Sequence, residues 1–235
     1  WTTFTALLKK FGIEHTVVAE QWIKPGTMDL TSNVAALKAA APDLIFTSMV
    51  FADLPVFMRQ AHNMGLTDGV KFVMPAAGWQ QTSLKKEFTP ENIVFGHSTL
   101  YFANPAASPL QKSFVKWYFD KYTDYPHWEC DRAYYCLHLY KAAVEKAMAA
   151  KSGSWPTSLE IAEAMPGLTV ESLGGPASMR RDHISDQIIF QGLTTHKNDY
   201  DFVTLATTES MSTKEIQKPP GADFWEWLQT ADLKI

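Results

Sequence analysis

The sequence predicts an α/β fold: a parallel, doubly wound sheet with helices on both faces. Three observations predict it. Over the first hundred residues, strand-like apolar runs alternate with apolar residues at helical spacing. The stretch "DLIFTSMVFADLPVFMRQAHNMGL", Asp43 to Leu66, contains one such switch, and its apolar strand turns small and polar at Thr47 and Ser48 just before the helix. After Leu100, two long helical stretches follow with few strands to pack against.

The elements follow in order. In "WTTFTALLKKFG" Phe4, Leu7, Leu8 and Phe11 share a helical face, and Gly12 is a natural C-terminal cap. "HTVVAEQW", His15 to Trp22, reads as a strand. "KPGTMD" is a turn, after which Asp29 or Thr31 caps a helix with Val34, Leu37 and Ala41 on one side, stopped by Pro42. A strand at 43–49 leads to a helix at 53–64, with Asp53 as its cap and Gly65 closing it. "VKFVMPAA" (70–77) and "NIVFGHSTL" (92–100) are two more strands, separated by a short helix at most in "SLKKEF".

Beyond Leu100, Ser108-Pro109 is an N-cap with proline in the first helical position, and the helix runs to Tyr122. "DYPHWE" interrupts it. A long helix over 129–150 follows, with Ala133, Cys136, Leu137, Tyr140, Val144 and Met148 expected inward. "TSLE" is a capping box from Thr157 to Glu160. "LGGP" and "RRDH" are turns; "QIIFQGL" and "DFVTLAT" are an antiparallel pair of strands. A last short helix is capped by Asp223. The chain thus divides into an α/β lobe at 1–100, a mainly helical part at 101–183 that lacks a sheet of its own, and returning strands with a tail at 184–235.

Composition excludes several classes. The formal net charge is −4, and the basic pairs Lys9-Lys10, Lys85-Lys86 and Arg180-Arg181 are short and scattered, so no nucleic-acid partner is expected. No apolar run approaches the roughly 18 residues of a membrane span. The two cysteines, Cys130 and Cys136, point about 120° apart on one helix and cannot bridge within it; they are small packing residues, or one pairs with a segment outside the sequence. The seven histidines show no metal-binding spacing, so no metal is expected. GxSxG, GxxxxGK[ST] and GxGxxG are all absent, so neither an enzyme nor a cofactor is expected.

Several stretches resemble solute-binding proteins of branched-chain amino-acid type ABC importers. "DLIFTSMVFADLPVFMRQAHNMGL" is similar to a strand–loop–helix of their second lobe that ends R-Q-A-x-x-x-G-L, matched here by Arg59-Gln60-Ala61 and Gly65-Leu66. "PGTMDLTSNVAALKAAAPD", "FVKWYFDKYTDYP", "RAYYCLHLYKAAVEKA" and "RRDHISDQ" resemble other family segments in the same order. The resemblance implies a two-lobed clamshell of the type I periplasmic-binding fold that closes on a small ligand and docks on a membrane permease. It also implies a periplasmic or extracellular location, with a signal peptide and the N-terminal half of the fold lying outside this sequence.

In such sheets ligands bind beyond the carboxyl ends of the strands, where Thr47 and Ser48 lie. The resemblance places the lobe-two binding loops at Val50-Phe51 and Ala76-Ala77-Gly78-Trp79. Ser48, Val50, Phe51, Ala77, Trp79 and Tyr101 are therefore the candidate ligand-binding residues. Phe51 and Trp79 suit stacking on an apolar or aromatic ligand, or lobe packing. Tyr101 and Phe102 line the cleft or form hinge core. "PHWE" (126–129) presents its free N–H groups to the cleft or is an ordinary helix start. Amino-acid-binding members carry an acid in the loop that reads "MPAAGWQQ" here, and a tyrosine where Val50 stands. The resemblance therefore implies an apolar or aromatic carboxylate, or a related amide. A branched-chain amino-acid receptor and a ligand sensor on the same fold are the alternatives.

Overall fold

The computed structural model describes residues 1–233. Its first helix, α1 (Thr2–Lys10), ends at Gly12, whose φ of +64° suits the residue beyond a helix C-terminus. The predicted strand at His15–Trp22 is not formed: the segment is irregular and mostly exposed, and among the described residues it pairs with no strand. Alternating apolar residues make a strand only where a neighbour accepts the ladder, and Val17 and Val18 find none. Helix α2 (Thr31–Ala39) follows, with Leu30 as its N-cap; Asp29 accepts from the Thr31 amide just outside it.

Strand β1 (Leu44–Phe46) is shorter than expected. The Thr47 amide makes one more bond to the Val73 carbonyl, and the Thr47 hydroxyl then accepts from the Met49 amide at 3.2 Å. That local bond takes the backbone out of the ladder. Helix α3 (Asp53–Asn63) starts at Ala52, so Asp53 is not its cap. The Asp53 carboxylate reaches sideways and accepts from the Gly26 amide at 3.0 and 3.2 Å, pinning the "KPGT" turn. Gln60 ties the same turn to α3: its Oε1 accepts from Leu30 N–H at 2.7 Å and its Nε2 donates to Met28 O at 2.8 Å.

Strand β2 (Lys71–Met74) pairs parallel with β1, and β3 (Val94–His97) pairs parallel with β2. The short helix between them is displaced from the sequence expectation. A 3-10 turn covers Ala77–Ser83, while Lys85–Phe88 forms a turn that drops Phe88 into the core under the Arg59 guanidinium. Leu54, Phe57, Met58 and Ala61 of α3 meet Phe72, Met74 and Phe95 of the strands, with Val34 packed alongside. Burying each large side chain contributes about 1.5–3 kcal/mol.

Helix α4 (Pro109–Tyr122) begins as expected, with the Ser108 side chain accepting from the Gln111 amide. Helix α5 (Trp128–Ala150) runs as predicted; Val144 is buried and Met148 packs beside it as expected, but the first half of the helix buries a different face. Asp131, Tyr135, Leu139, Ala143, Val144 and Ala147 are buried, whereas Ala133, Cys136 and Tyr140 are exposed and Leu137 is 71% exposed. The physical reason lies in what covers the helix. Helix α6 (Ser158–Ala164), opened by the Thr157–Glu160 capping box, packs on one side. Beside it lies a sheet that the sequence reading missed: β4 (Thr169–Ser172), β5 (Gly175–Met179) and β6 (Ser185–Asp186), all antiparallel. Tyr135 and Leu139 pack on Ala177 of β5. Cys130 and Cys136 are both free thiols.

Strand β7 (Ile188–Thr195) returns to the first sheet and pairs antiparallel with β3. Its far end pairs with β8 (Thr204–Leu205), the expected antiparallel partner, and its near end with β9 (Glu209–Ser212), which was not expected. The main sheet is therefore mixed, in the order β1-β2-β3-β7-β8 with β9 on β7. Helix α7 (Phe224–Thr230) closes the description, with Asp223 accepting from the Trp225 and Glu226 amides.

Candidate functional site

The carboxyl ends of β1 and β2 each carry one aromatic residue, and the fold brings them together. Phe51 follows β1 in the left-handed region at φ +57°, a conformation that an aromatic residue rarely adopts. Its ring, 52% exposed, lies edge-on to Trp79, with centroids 4.7 Å apart. Trp79 is held in the 3-10 turn after β2. On its other sides it meets the start of α5: His127 stacks on it at 5.4 Å, and Trp128 lies edge-on at 5.0 Å. The Arg132 guanidinium, one turn further along α5, sits 4.0 Å from the Trp128 ring and donates to Ser98 Oγ at 3.2 Å. A cation thus lies at one end of a row of four aromatic side chains. Glu129 approaches it only to 3.7 Å, at a half-exposed site where such pairs contribute little.

The α5 start is a shaped helix terminus. His127 is its N-cap, and Nδ1 accepts from the Glu129 amide at 3.2 Å. Burial beside Trp79 holds the His127 imidazole below its ordinary pKa, with Glu129 and Asp124 pulling the other way. Asp131 lies buried in the first turn. It accepts from the Gly174 amide at 3.1 Å and from the Ser172 hydroxyl, which fixes α5 to the β4–β5 turn.

The remaining candidate residues are placed differently. Ser48 is exposed and Val50 half-buried, both in the loop before Phe51. Ala77 is packed in the main core. Tyr101 is buried in a second aromatic cluster with Phe102, Phe190 and Phe202, and its hydroxyl accepts from the Leu205 amide at 3.1 Å. The sequence reading did not single out His127, Trp128 or Arg132 as individuals, although it marked "PHWE" as a helix start.

It also missed His97, the last residue of β3. A cavity of about 220 Å³ opens behind Trp79, between the 3-10 turn and the Asp124–His127 loop, lined in addition by His97 and Phe102. A second cavity, of about 160 Å³, lies between Pro75, Gly96 and β7–β9, and His97 borders that one too. The imidazole is buried, and among the described residues neither of its nitrogens has a hydrogen-bond partner. Such a group costs about 1–3 kcal/mol. Burial pushes its pKa down to about 3, with the Leu100 carbonyl opposing, so the ring is neutral. The only signal in the sequence was a polar residue closing an apolar strand.

A profile described as "Periplasmic binding protein" matches residues 1–190, and the chain belongs to that family. No curated protein matches the sequence. Among solved structures, a solute-binding protein of an ABC transporter from Rhodopseudomonas palustris HaA2, in complex with p-hydroxybenzoic acid, is similar with a TM-score of 0.69 at 19% identity, over 89% of this chain and 55% of that one. Another from R. palustris BisB5, in complex with 3,4-dihydroxybenzoic acid, aligns with a TM-score of 0.65 at 23% identity, over 82% of this chain and 50% of that one. A leucine-, isoleucine-, valine-, threonine- and alanine-binding protein from Brucella ovis, in its closed conformation, gives 0.66 at 20% identity, over 93% and 55%. The fold is therefore the type I periplasmic-binding fold, and this chain spans about half the length of those structures.

Proposed function

We propose that this chain contributes the ligand-holding face of an extracytoplasmic receptor, periplasmic or extracellular, that captures a small organic solute for an ABC importer. The ligand class that fits best is an aromatic carboxylate or a related amide, bound and released unchanged. The observation that carries this is the row of Phe51, Trp79, His127 and Trp128 at the strand ends, with Arg132 beyond Trp128. Rings and edges of this kind hold a flat apolar ligand by offset or edge-on contact. The guanidinium is a natural partner for a carboxylate.

Support comes also from what the loop lacks. Met74–Gln81 carries no acid to hold a ligand ammonium, and burying an ammonium without a counter-charge costs several kcal/mol. Two structurally similar proteins are in complex with benzoate-type acids, which supports the same ligand class. Titrating the full-length protein with benzoate-type acids, leucine, phenylalanine and short amides, followed by tryptophan fluorescence, tests the reading. Tight binding of an aromatic acid and weak binding of leucine are expected; tight leucine binding with no response to acids or amides overturns it. Mass spectrometry of the recovered ligand checks that it is unchanged.

A further inference from the structure

We propose that the cavity behind Trp79 is a subsite for one uncharged hydroxyl group of the ligand, held by His97. The proposal rests on the reading that the aromatic cleft holds the ligand, because Trp79 and His127 border both the cleft and this cavity.

Three features of the cavity select that chemistry. First, His97 is 5% exposed, and among the described residues neither ring nitrogen, one an acceptor and one an N–H donor, makes a hydrogen bond of normal geometry; the nearby Leu100 carbonyl only opposes the effect of burial. Gln81, which lines the same cavity, is also buried, and its Oε1 likewise lacks a donor. Its Nε2 is already committed to the Val203 carbonyl at 3.0 Å, which fixes the side chain in place. A hydroxyl both donates and accepts, so one such group answers an acceptor and a donor together.

Second, among the described residues the lining carries no lysine or arginine, and its one carboxylate is Asp124. An anionic group would meet that carboxylate and a neutral imidazole with nothing to balance it. Burial keeps His97 uncharged, which favours a neutral guest over a carboxylate.

Third, the imidazole is held in place by close packing. A Cβ added at Gly78 would come within 2.5 Å of His97 Nδ1 and 2.9 Å of the Gly96 carbonyl oxygen, so glycine lets the 3-10 turn lie directly against the ring and β3. The walls beside it, Trp79, Phe102 and Tyr125, are rings, which fit the hydroxyl of a flat aromatic ligand better than that of a flexible polyol.

The test uses phenol and toluene as probes, two rings of nearly equal size that differ in the hydroxyl. The full-length protein, labelled with ¹⁵N-histidine, is titrated with each, and the His97 ring resonances are assigned by their loss in His97→Phe. Phenol is expected to shift both His97 ring nitrogens and toluene to leave them within error. His97→Phe, which keeps a ring and removes both nitrogens, is expected to lose at least a three-fold preference for phenol over toluene. If phenol leaves the His97 nitrogens unmoved, the cavity holds solvent only and the proposal is overturned, even where benzoate-type acids bind tightly and the receptor reading stands. If phenol shifts His97 while no aromatic acid binds, the subsite stands and the reading of the carboxylate ligand falls. Should His97→Phe fail to fold, the His97 resonances are those that survive substitution of each of the other six histidines in turn, and their shifts in the unmodified protein decide the matter.

Discussion

The buried carboxylate of Asp131 accepts a hydrogen bond from the Gly174 amide at 3.1 Å, and so joins the first turn of α5 to the β4–β5 turn, 43 positions away. The same oxygen accepts from Ser172. An aspartate in a first helical turn is favoured by the helix dipole, and among the described residues the partners of this carboxylate are Ser172 and Gly174. Replacing Asp131 with alanine leaves a half-buried amide and a buried hydroxyl without an acceptor. Asp131→Ala is expected to destabilise the protein by about 3 kcal/mol, and Asp131→Asn, which keeps an acceptor, by about 1 kcal/mol. Urea unfolding with an unchanged m-value measures both. Equal midpoints for all three proteins would show that the link carries no stability.

Gly174 offers a second test of the same junction. A Cβ at this position would lie 1.6 Å from the Thr99 carbonyl oxygen, a backbone atom that cannot step aside alone. Gly174→Ala is expected to cost about 3 kcal/mol or more, or to abolish soluble expression. A variant as stable as the parent would mean that the chain leaving β3 does not run against this turn.

Trp79 is the centre of the aromatic row, with Phe51, His127 and Trp128 within 4.7–5.4 Å, centroid to centroid. Trp79→Ala is expected to weaken binding of the true ligand by about 1–3 kcal/mol. Calorimetry against the unmodified protein gives the difference. A change near zero would assign Trp79 to packing alone.

His97 makes stability depend on pH in a defined direction. The buried imidazole titrates near 3, whereas the unfolded chain protonates it at its ordinary 6.5. The unfolded state therefore binds the extra proton, and stability falls as pH drops from about 6.5 toward 3, by at most about 1.4 kcal/mol per unit from one such group. Above 6.5 the contribution is complete. Lowered carboxylates such as Glu160, drawn down to about 2 by Lys151 and Thr157, act only below their ordinary 4.5. The window from 6.5 to 5 thus belongs largely to histidines. His97→Phe is expected to flatten the denaturation midpoint there; parallel profiles for variant and parent would contradict the buried neutral ring.

What the sequence made legible was local. Ser108, Thr157 and Asp223 could be placed as caps because a cap is written within four residues. The β-α-β alternation from β1 to β3 was readable because each element carries its own period. The β4–β5–β6 sheet was not, because "TVESLGGPASM" has one marked signal, the glycine pair, between short strands of mixed polarity. The inward face of α5 was misjudged because Leu137 and Tyr140 are as apolar as Leu139, and only the position of the β4–β5 hairpin decides among them. In the site, Phe51 and Trp79 were visible as aromatics at strand ends. Trp128 and Arg132 were not, since their approach to Trp79 depends on where α5 is docked.

The antiparallel pairing of β3 with β7 has a kinetic meaning. The Ile93 amide donates to Thr194 Oγ1, 101 positions further along the chain, and Val94 faces Leu193 beside it. Everything from α4 to β6 must leave and return before this ladder can close. The entropy lost in closing so long a loop is collected before any of its bonds are made, and rates of folding fall as contacts become more distant in sequence. The β1–β2–β3 block, built from near neighbours, is free to form early, leaving the far edge of β3 waiting for its partner. Refolding should thus show a fast phase that protects amides of β2 and a slower one in which those of β7 become protected, a sequence that pulsed hydrogen exchange resolves.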